Sequence, residues 1–509
     1  MARIGIQKVK TGCTTCKYVH TSPYICITST NTDETWPQCK RCTSTGRACD
    51  GYRAPPAGSL SWDVLLRAQP RNTPVTNDLE VRSLSFFHHA VAPVLSGPFD
   101  GSFWTHLVAQ MTHAEPAARH AVLAISSLFE RFEPAGPDAA IDRFAIFHYN
   151  QAIKQLVQGP ALDMDVILIV CILFICIEFL RGDRELAISH ATHGVKLLNS
   201  AGANSRLASM FSQMNIFPLF FVDTGVDFPH LSNSSLPGGP AGPNFHSITE
   251  AQHALDLLCV RTLRLIRSGN PYRFGMTECP PPRPMLDEQR QVCIELDAWG
   301  RDFSRFQISR STSHPEDTTS LALKIRQLLS RIWASQCLNP GEMGYDAHRA
   351  DFENIIEMAR KVTLNDSFIV GPNRPKFTFT MGFNPMLHFI IIKCRFLVLR
   401  IEGLELLRRL SCARESLWDA ALMYDMSRRI IEVEHDIDLD SAEFQPSIHN
   451  ETLPPDAKRV RGFFFDENAQ TPLWNSLAAP EERPVNLVML GPNGDIEVRR
   501  DYLKDPKRT

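Results

Sequence analysis

Long apolar runs are scarce in this chain of 509 residues. The longest, Val166 to Ile177, holds 12 residues. A bilayer-crossing helix needs ~20, so no membrane partner is expected and the run reads as a buried helix. The opening MARIGIQKVK has no apolar stretch of the secretory kind, which argues against an oxidised extracellular framework. Catalytic signatures are missing as well. There is no G-x-S-x-G, P-loop or G-x-G-x-x-G, and neither His88-His89 nor the pair His190 and His193 has the H-E-x-x-H spacing of a zinc hydrolase. EVEHDIDLD, around Asp436, Asp438 and Asp440, imitates a calcium loop, but Ser441 and Ser447 stand where that loop needs glycine and glutamate. An enzyme is therefore the class with least support, and none is expected.

A general basic surplus is lacking too: the net charge is -3, so any contact with nucleic acid has to come from a local patch. One such patch exists. Residues 1–53 carry Arg3, Lys8, Lys10, Lys17, Lys40, Arg41, Arg47 and Arg53 against Asp33, Glu34 and Asp50, a basic head on an acidic body. The cysteines follow the same division. Six of the 14 lie between Cys13 and Cys49, and the others are scattered through helix-patterned sequence as small core residues. With 44% hydrophobic and 21% charged residues, most of the chain is able to bury a core. Its length suits two to four units at roughly 100–200 residues per domain.

Behind the cysteines, Pro55, Pro56, Pro70 and Pro74 punctuate a linker over residues 54–78. Only SLSWDVLLR is apolar there, too little for the repeated heptads of a coiled coil, so no zipper is supported and monomer and dimer both stay open. From residue 79 the period becomes helical. Leu84, Phe87, His88, Val91 and Leu95 recur at three- and four-residue spacings, as do Val122, Ile125, Leu128, Phe129 and Phe132. Gly182 separates the apolar run from a helix over Ala187 to Leu198, and Glu178 inside that run is expected to pair with a residue such as Arg181 or Arg184, the alternative being that it lines a pocket. Ser247-Ile-Thr-Glu250 is a capping box ahead of a helix to about Arg267. Further helices are predicted over 286–309, 318–336, 347–362, 384–411 and 412–436. The fold class is mostly α: a small N-terminal module over residues 8–53 and a large all-α domain over 79–443. Residues 444–509 read as an irregular tail, with a hairpin at Gly491-Pro-Asn-Gly494.

The spacing C-x2-C-x9-C-x12-C-x2-C-x6-C joins Cys13, Cys16, Cys26, Cys39, Cys42 and Cys49. A two-residue gap lets both thiolates of a pair reach one ion at ~2.3 Å, and zinc prefers four soft ligands in a tetrahedron. Six thiolates serve two zinc ions if two of them bridge. A one-zinc module on Cys13, Cys16, Cys39 and Cys42 is the simpler alternative.

KTGCTTCK and DETWPQCKRCTSTGRACDGY resemble the zinc binuclear cluster of fungal transcription regulators. The likeness lies in the lysine-led first CxxC, in Pro37 two residues before the fourth cysteine, in the second CxxC and in the final cysteine. The resemblance implies two zinc ions, bridged by Cys13 and Cys39, and double-stranded DNA as partner. A helix starting at a CxxC would enter the major groove, with Lys8, Lys10, Lys17, Lys40, Arg41 and Arg47 meeting phosphates or guanine edges. One half departs from the family pattern. Where the family has a short basic run, Tyr18 to Thr32 contains neither Lys nor Arg. Cys26 then closes the metal site only by looping, or His20 replaces it. The insert over residues 18–32 is either a lengthened loop that weakens zinc and DNA binding, or translated intron sequence standing in place of a short exon.

Residues 84–200 carry a second resemblance. Phe103-Trp104, EPAARHAVLAI and LFICIEFLRG with the following HATHG are similar to the helical regulatory domain found behind such modules. Together the two likenesses imply a nuclear, zinc-dependent, sequence-specific regulator of RNA polymerase II transcription, working with the transcription machinery or co-regulators. The alternative is a helical interaction or ligand-sensing regulator whose disrupted zinc module no longer binds DNA.

Overall fold

The computed structural model describes residues 40–44, 46, 48–49, 77–99, 101–132, 142–158, 162–201, 207–221, 228–231, 245–310, 317–365, 374–441, 452–465, 482–492 and 494–504. The chain divides into two compact units, Met1–Ser61 and Trp62–Thr509. The described part of the first is a short helix, α1 (Lys40–Ser44), and the turn that follows it. The linker expected over 54–78 lies outside the described residues, except for its last two.

The second unit is mostly α among the described residues, in line with the helical periodicity. α2 (Asp78–Phe86) starts where the Asn77 side chain accepts from Leu79 N, and continues through a π-helical turn, Phe87–Val91, into Ala92–Leu95. α3 (Pro116–Glu130) packs on α4 (Arg143–Gln158) and on α5 (Met164–Arg181), and α5 packs in turn on α6 (Arg184–Ala201). A helix enclosed on several sides has to be apolar around its whole circumference. Leu168, Ile172, Leu173, Ile175, Cys176 and Ile177 of α5 are accordingly all fully buried. Asp163 caps the start of α5, and Gly182, left-handed at φ 73°, ends it.

α7 (Ile248–Arg273) begins at Ser247, whose hydroxyl accepts from Glu250 N at 3.1 Å, while Glu250 Oε2 accepts from His246 N at 2.9 Å. Ser247 thus caps the helix as the sequence implies, while Glu250 reaches back one residue beyond the cap, and the helix runs on past Arg267 to Arg273 despite Pro271. α8 (Arg283–Arg310), α9 (Thr318–Gln336) and α10 (Arg349–Asn365) follow.

Two predicted helices turn out differently. Residues 384–411 split into α11 (Phe383–Lys393) and α12 (Leu397–Leu410). No glycine or proline marks the break. Cys394 and Phe396 are extended, at ψ 127° and 108°, and the Arg395 guanidinium between them donates to Glu342 and Glu434 at 3.0 and 3.2 Å. The helix expected from 412 begins only at Ala420, as α13 (Ala420–His435). Before it, β1 (Phe377–Thr378) runs parallel to β2 (Arg414–Glu415), which turns back on β3 (Trp418–Asp419) through Ser416 at φ 56°. The N–H groups of Arg414 and Ser416 donate to Lys376 O and Thr378 O, so a distant strand overrides the helix propensity of Ala-Arg-Glu.

The stretch from 444, expected to be irregular, holds a second sheet. β4 (Gly462–Phe464), β5 (Glu482–Leu490) and β6 (Ile496–Lys504) are antiparallel in that order. β5 and β6 are the arms of the hairpin expected at Gly491-Pro-Asn-Gly494. Val485, Leu487, Met489 and Leu503 on one face share a core with Leu422, Met423, Met426 and Ile430 of α13.

Candidate functional site

In the first unit, α1 opens at the residue after Cys39, within the span of the second CxxC. Cys42 lies within its turn and is 2% exposed, and Cys49 is half-buried. Gly46 reverses the chain between them at φ 69°, with its N–H donating to Thr43 O at 3.3 Å. Residues with a Cβ seldom hold that conformation. Cys42 is thus buried although the surrounding KRCTSTGRAC holds no apolar run. Cys13, Cys16, Cys26 and Cys39, together with Lys8, Lys10, Lys17, Arg47 and the 18–32 insert, lie outside the described residues, as do the side chains of Lys40 and Arg41. Among the described residues no group of three or more His, Cys, Asp or Glu is placed to hold a metal ion.

In the second unit the polar residues singled out by sequence are tied into the fold. The His88 ring stacks on His113 with centroids 6.2 Å apart. Burial lowers its pKa, and the neighbouring histidines lower it further. His190 Nε2 lies 3.1 Å from the Tyr149 hydroxyl, and His193 Nδ1 lies 3.5 Å from Ser189 Oγ. Glu178 is buried and pairs with Arg181 at 2.8 Å. Burial raises its pKa against the pull of Tyr149 and Arg181. Asp436 ends α13 at φ 60° and meets Lys458 at 3.1 Å, while Asp440 pairs with Arg428 at 2.5 Å.

A buried charge cluster was not foreseen. Glu342 accepts from Lys393 Nζ at 2.8 Å, Arg395 at 3.0 Å and Arg273 at 3.4 Å. Glu434 accepts from Arg400 at 2.6 Å, Arg395 at 3.2 Å and Val460 N at 2.6 Å. Burial alone would raise the Glu342 pKa; Lys393, Arg395 and Arg273 outweigh it and hold the carboxyl at about 2. Arg459 adds a two-pronged pair with Asp346 at 2.8 and 2.7 Å, and Arg461 pairs with Asp456 at 2.8 Å. Bonds from Lys393 to Arg461 O, from Arg395 to Val460 O and from Val460 N to Glu434 join the segment 452–465 to α11, to the break after it and to α13. The available signal was Lys393, Arg395 and Arg400 standing inside otherwise apolar sequence, since a charge there has to find a partner. A small cleft, with Glu415 in its wall, was likewise missed.

No family model matches the chain, and no solved structure matches it. Two fungal proteins are similar in sequence. One, the aspercryptin biosynthesis cluster-specific transcription regulator atnN of Emericella nidulans, is 24% identical over 409 residues, covering 69% of this chain and 64% of that protein. The other, the transcription regulator lscL of Purpureocillium lilacinum, is 25% identical over 199 residues, covering 34% of this chain and 48% of that protein. The chain thus spans less than two thirds of the length of these curated relatives. No helix among the described residues is long and apolar enough to cross a membrane.

Proposed function

We propose that the chain is a zinc-dependent, sequence-specific DNA-binding regulator of RNA polymerase II genes, acting in the nucleus. The observation that carries this is the six-cysteine spacing in a chain similar to two proteins named as transcription regulators. The start of α1 at the second CxxC and the burial of Cys42 support the module. Bound zinc would supply the cross-link that a segment too short for its own core otherwise lacks, with Cys13, Cys16, Cys26, Cys39, Cys42 and Cys49 as the ligands of two ions. Lys40 and Arg41 head α1, where basic side chains suit phosphates or guanine edges, and Lys8, Lys10, Lys17 and Arg47 extend the basic surface. The helical body is the region for effectors and for contact with the transcription machinery or co-regulators.

A second reading is favoured by one observation: Tyr18 to Thr32 contains no basic residue. On that reading the module no longer binds DNA and the helical body works through partners. Native mass spectrometry of the full chain from zinc-replete cells, combined with selection from a random DNA pool, separates the two. Two zinc ions per chain with an enriched DNA motif supports the first. No zinc and no enrichment sinks it. Sequencing the transcript across codons 17–33 then assigns the cause, since an mRNA that encodes the insert makes it genuine protein.

A further inference from the structure

Glu415 is 2% exposed, and its carboxylate is held by backbone amides. Oε2 accepts from Gly382 N and Asn384 N at 2.9 Å each, and Oε1 accepts from Cys412 N at 3.2 Å. The fold goes to some length to place it there. Ser416 takes a left-handed conformation to turn β2 back on β3, and Gly382 lets the carboxylate approach, because a Cβ at that position would lie 3.2 Å from Oε2. Burial pushes the pKa up to about 7 against the pull of these amides and of the Phe383 amide. The nearby guanidinium of Arg374, which acts electrostatically on the neighbouring Cys412, donates instead to the carbonyls of Arg408 and Arg409 at 2.9 and 3.2 Å.

This carboxylate lines a cleft of about 70 Å³ whose other walls include Val94, Pro98, Phe383 and Leu410. At roughly 10–15 Å³ per water-sized sphere, such a space takes about five heavy atoms. Capping the start of α11 occupies Oε2 twice, whereas Oε1 receives a single N–H and keeps acceptor capacity. A buried anion beside apolar walls is stabilised by an opposite charge that brings its own hydrogen-bond donors.

We propose that this cleft binds a small primary ammonium compound, with the cation at Glu415 and its apolar body along Val94, Pro98 and Leu410. The site belongs to the helical unit and does not depend on the zinc module or on DNA binding. It gives the regulatory body a ligand class: short aliphatic amines.

The test uses the full chain at fixed ionic strength, with n-butylammonium as probe and 1-butanol as its neutral isostere, read by saturation-transfer NMR titration. Butylammonium is expected to bind saturably, and Glu415→Gln to weaken it by about 10- to 100-fold, as loss of a charge-assisted hydrogen bond implies. Butanol is expected not to saturate over the same range. Pro98→Trp, which fills the cleft from a half-buried position in its wall, is expected to abolish binding while leaving the melting temperature near wild type. Because Glu415 also caps α11, the Glu415→Gln chain is read only if it melts near wild type; Pro98→Trp decides the matter otherwise. Absent saturation by butylammonium, equal binding of butanol, or binding that survives Pro98→Trp would each overturn the proposal.

Discussion

The two units use the same residue in opposite ways. In the second, Cys176 is fully buried in the apolar helix α5, and burial pushes its thiol well above its ordinary range. A thiol so placed is a small hydrophobe, unsuited to metal binding, which needs the thiolate. In the first unit, Cys42 and Cys49 stand among Lys, Arg, Thr, Ser and Gly, with a glycine turn between them. The difference teaches that spacing and surroundings, not cysteine number, separate a ligand from a core residue. If the first unit binds zinc as proposed, the two units also draw on different sources of stability: a metal cross-link for one, and packing with buried ion pairs for the other.

Chelation should therefore divide the molecule most sharply. Structural zinc contributes about 10–16 kcal/mol to the folding of such modules, so a strong chelator is expected to eliminate DNA binding while the far-UV circular dichroism of the helical unit stays unchanged. Helicity falling in step with zinc loss would erase the distinction. Next in size is Glu434→Ala, which leaves Arg395 and Arg400 buried without their shared carboxylate. Breaking a buried pair in this way costs about 3–5 kcal/mol. Urea unfolding should show that loss with zinc content unaltered, and a loss below about 1 kcal/mol would mean that water or a neighbour replaces the carboxylate.

Acid should destabilise the helical unit. Burial holds His388 and His148 down to about 4, His148 with a further contribution from His120. In the unfolded chain both titrate near ~6.5, so between that pH and about 4 the unfolded state takes up protons that the folded state refuses. Stability is thus retained above about 6.5 and declines as pH falls toward 4. His388→Asn, which keeps a hydrogen-bonding partner for Ser427, should flatten the profile of the urea midpoint between pH 7 and 5; an unchanged slope would assign the acid sensitivity to other groups. Smallest is Ser247→Ala, which removes the bond to Glu250 N and should cost about 1 kcal/mol, whereas Ser247→Asp should be close to neutral.

What the sequence reveals is local. The cap at Ser247, the stop at Gly182 and the hairpin around Gly491 to Gly494 each depend on residues within a few positions of one another, and each is present in the structure. The break between α11 and α12 is not local. It accompanies Arg395 reaching Glu342 and Glu434, residues 53 and 39 positions away, and no propensity at Cys394 or Phe396 announces it. The same holds for residues 412–419, which pair with a strand nearly forty positions earlier, and for Glu415, whose cleft is assembled from four separate stretches of chain. For the metal module the position is reversed. Cysteine spacing alone proposes it from sequence, and four of its six cysteines lie outside the described residues.

The central claim is that the first unit binds DNA through zinc-held basic residues. Its most direct test is fluorescence anisotropy of the full chain on its selected duplex across a salt series, with and without chelator. The account predicts that log K falls linearly with log salt, by roughly 0.9 for each phosphate contacted, and that chelator removes binding at every salt concentration. Binding that is indifferent to salt, or that survives removal of zinc, would contradict it.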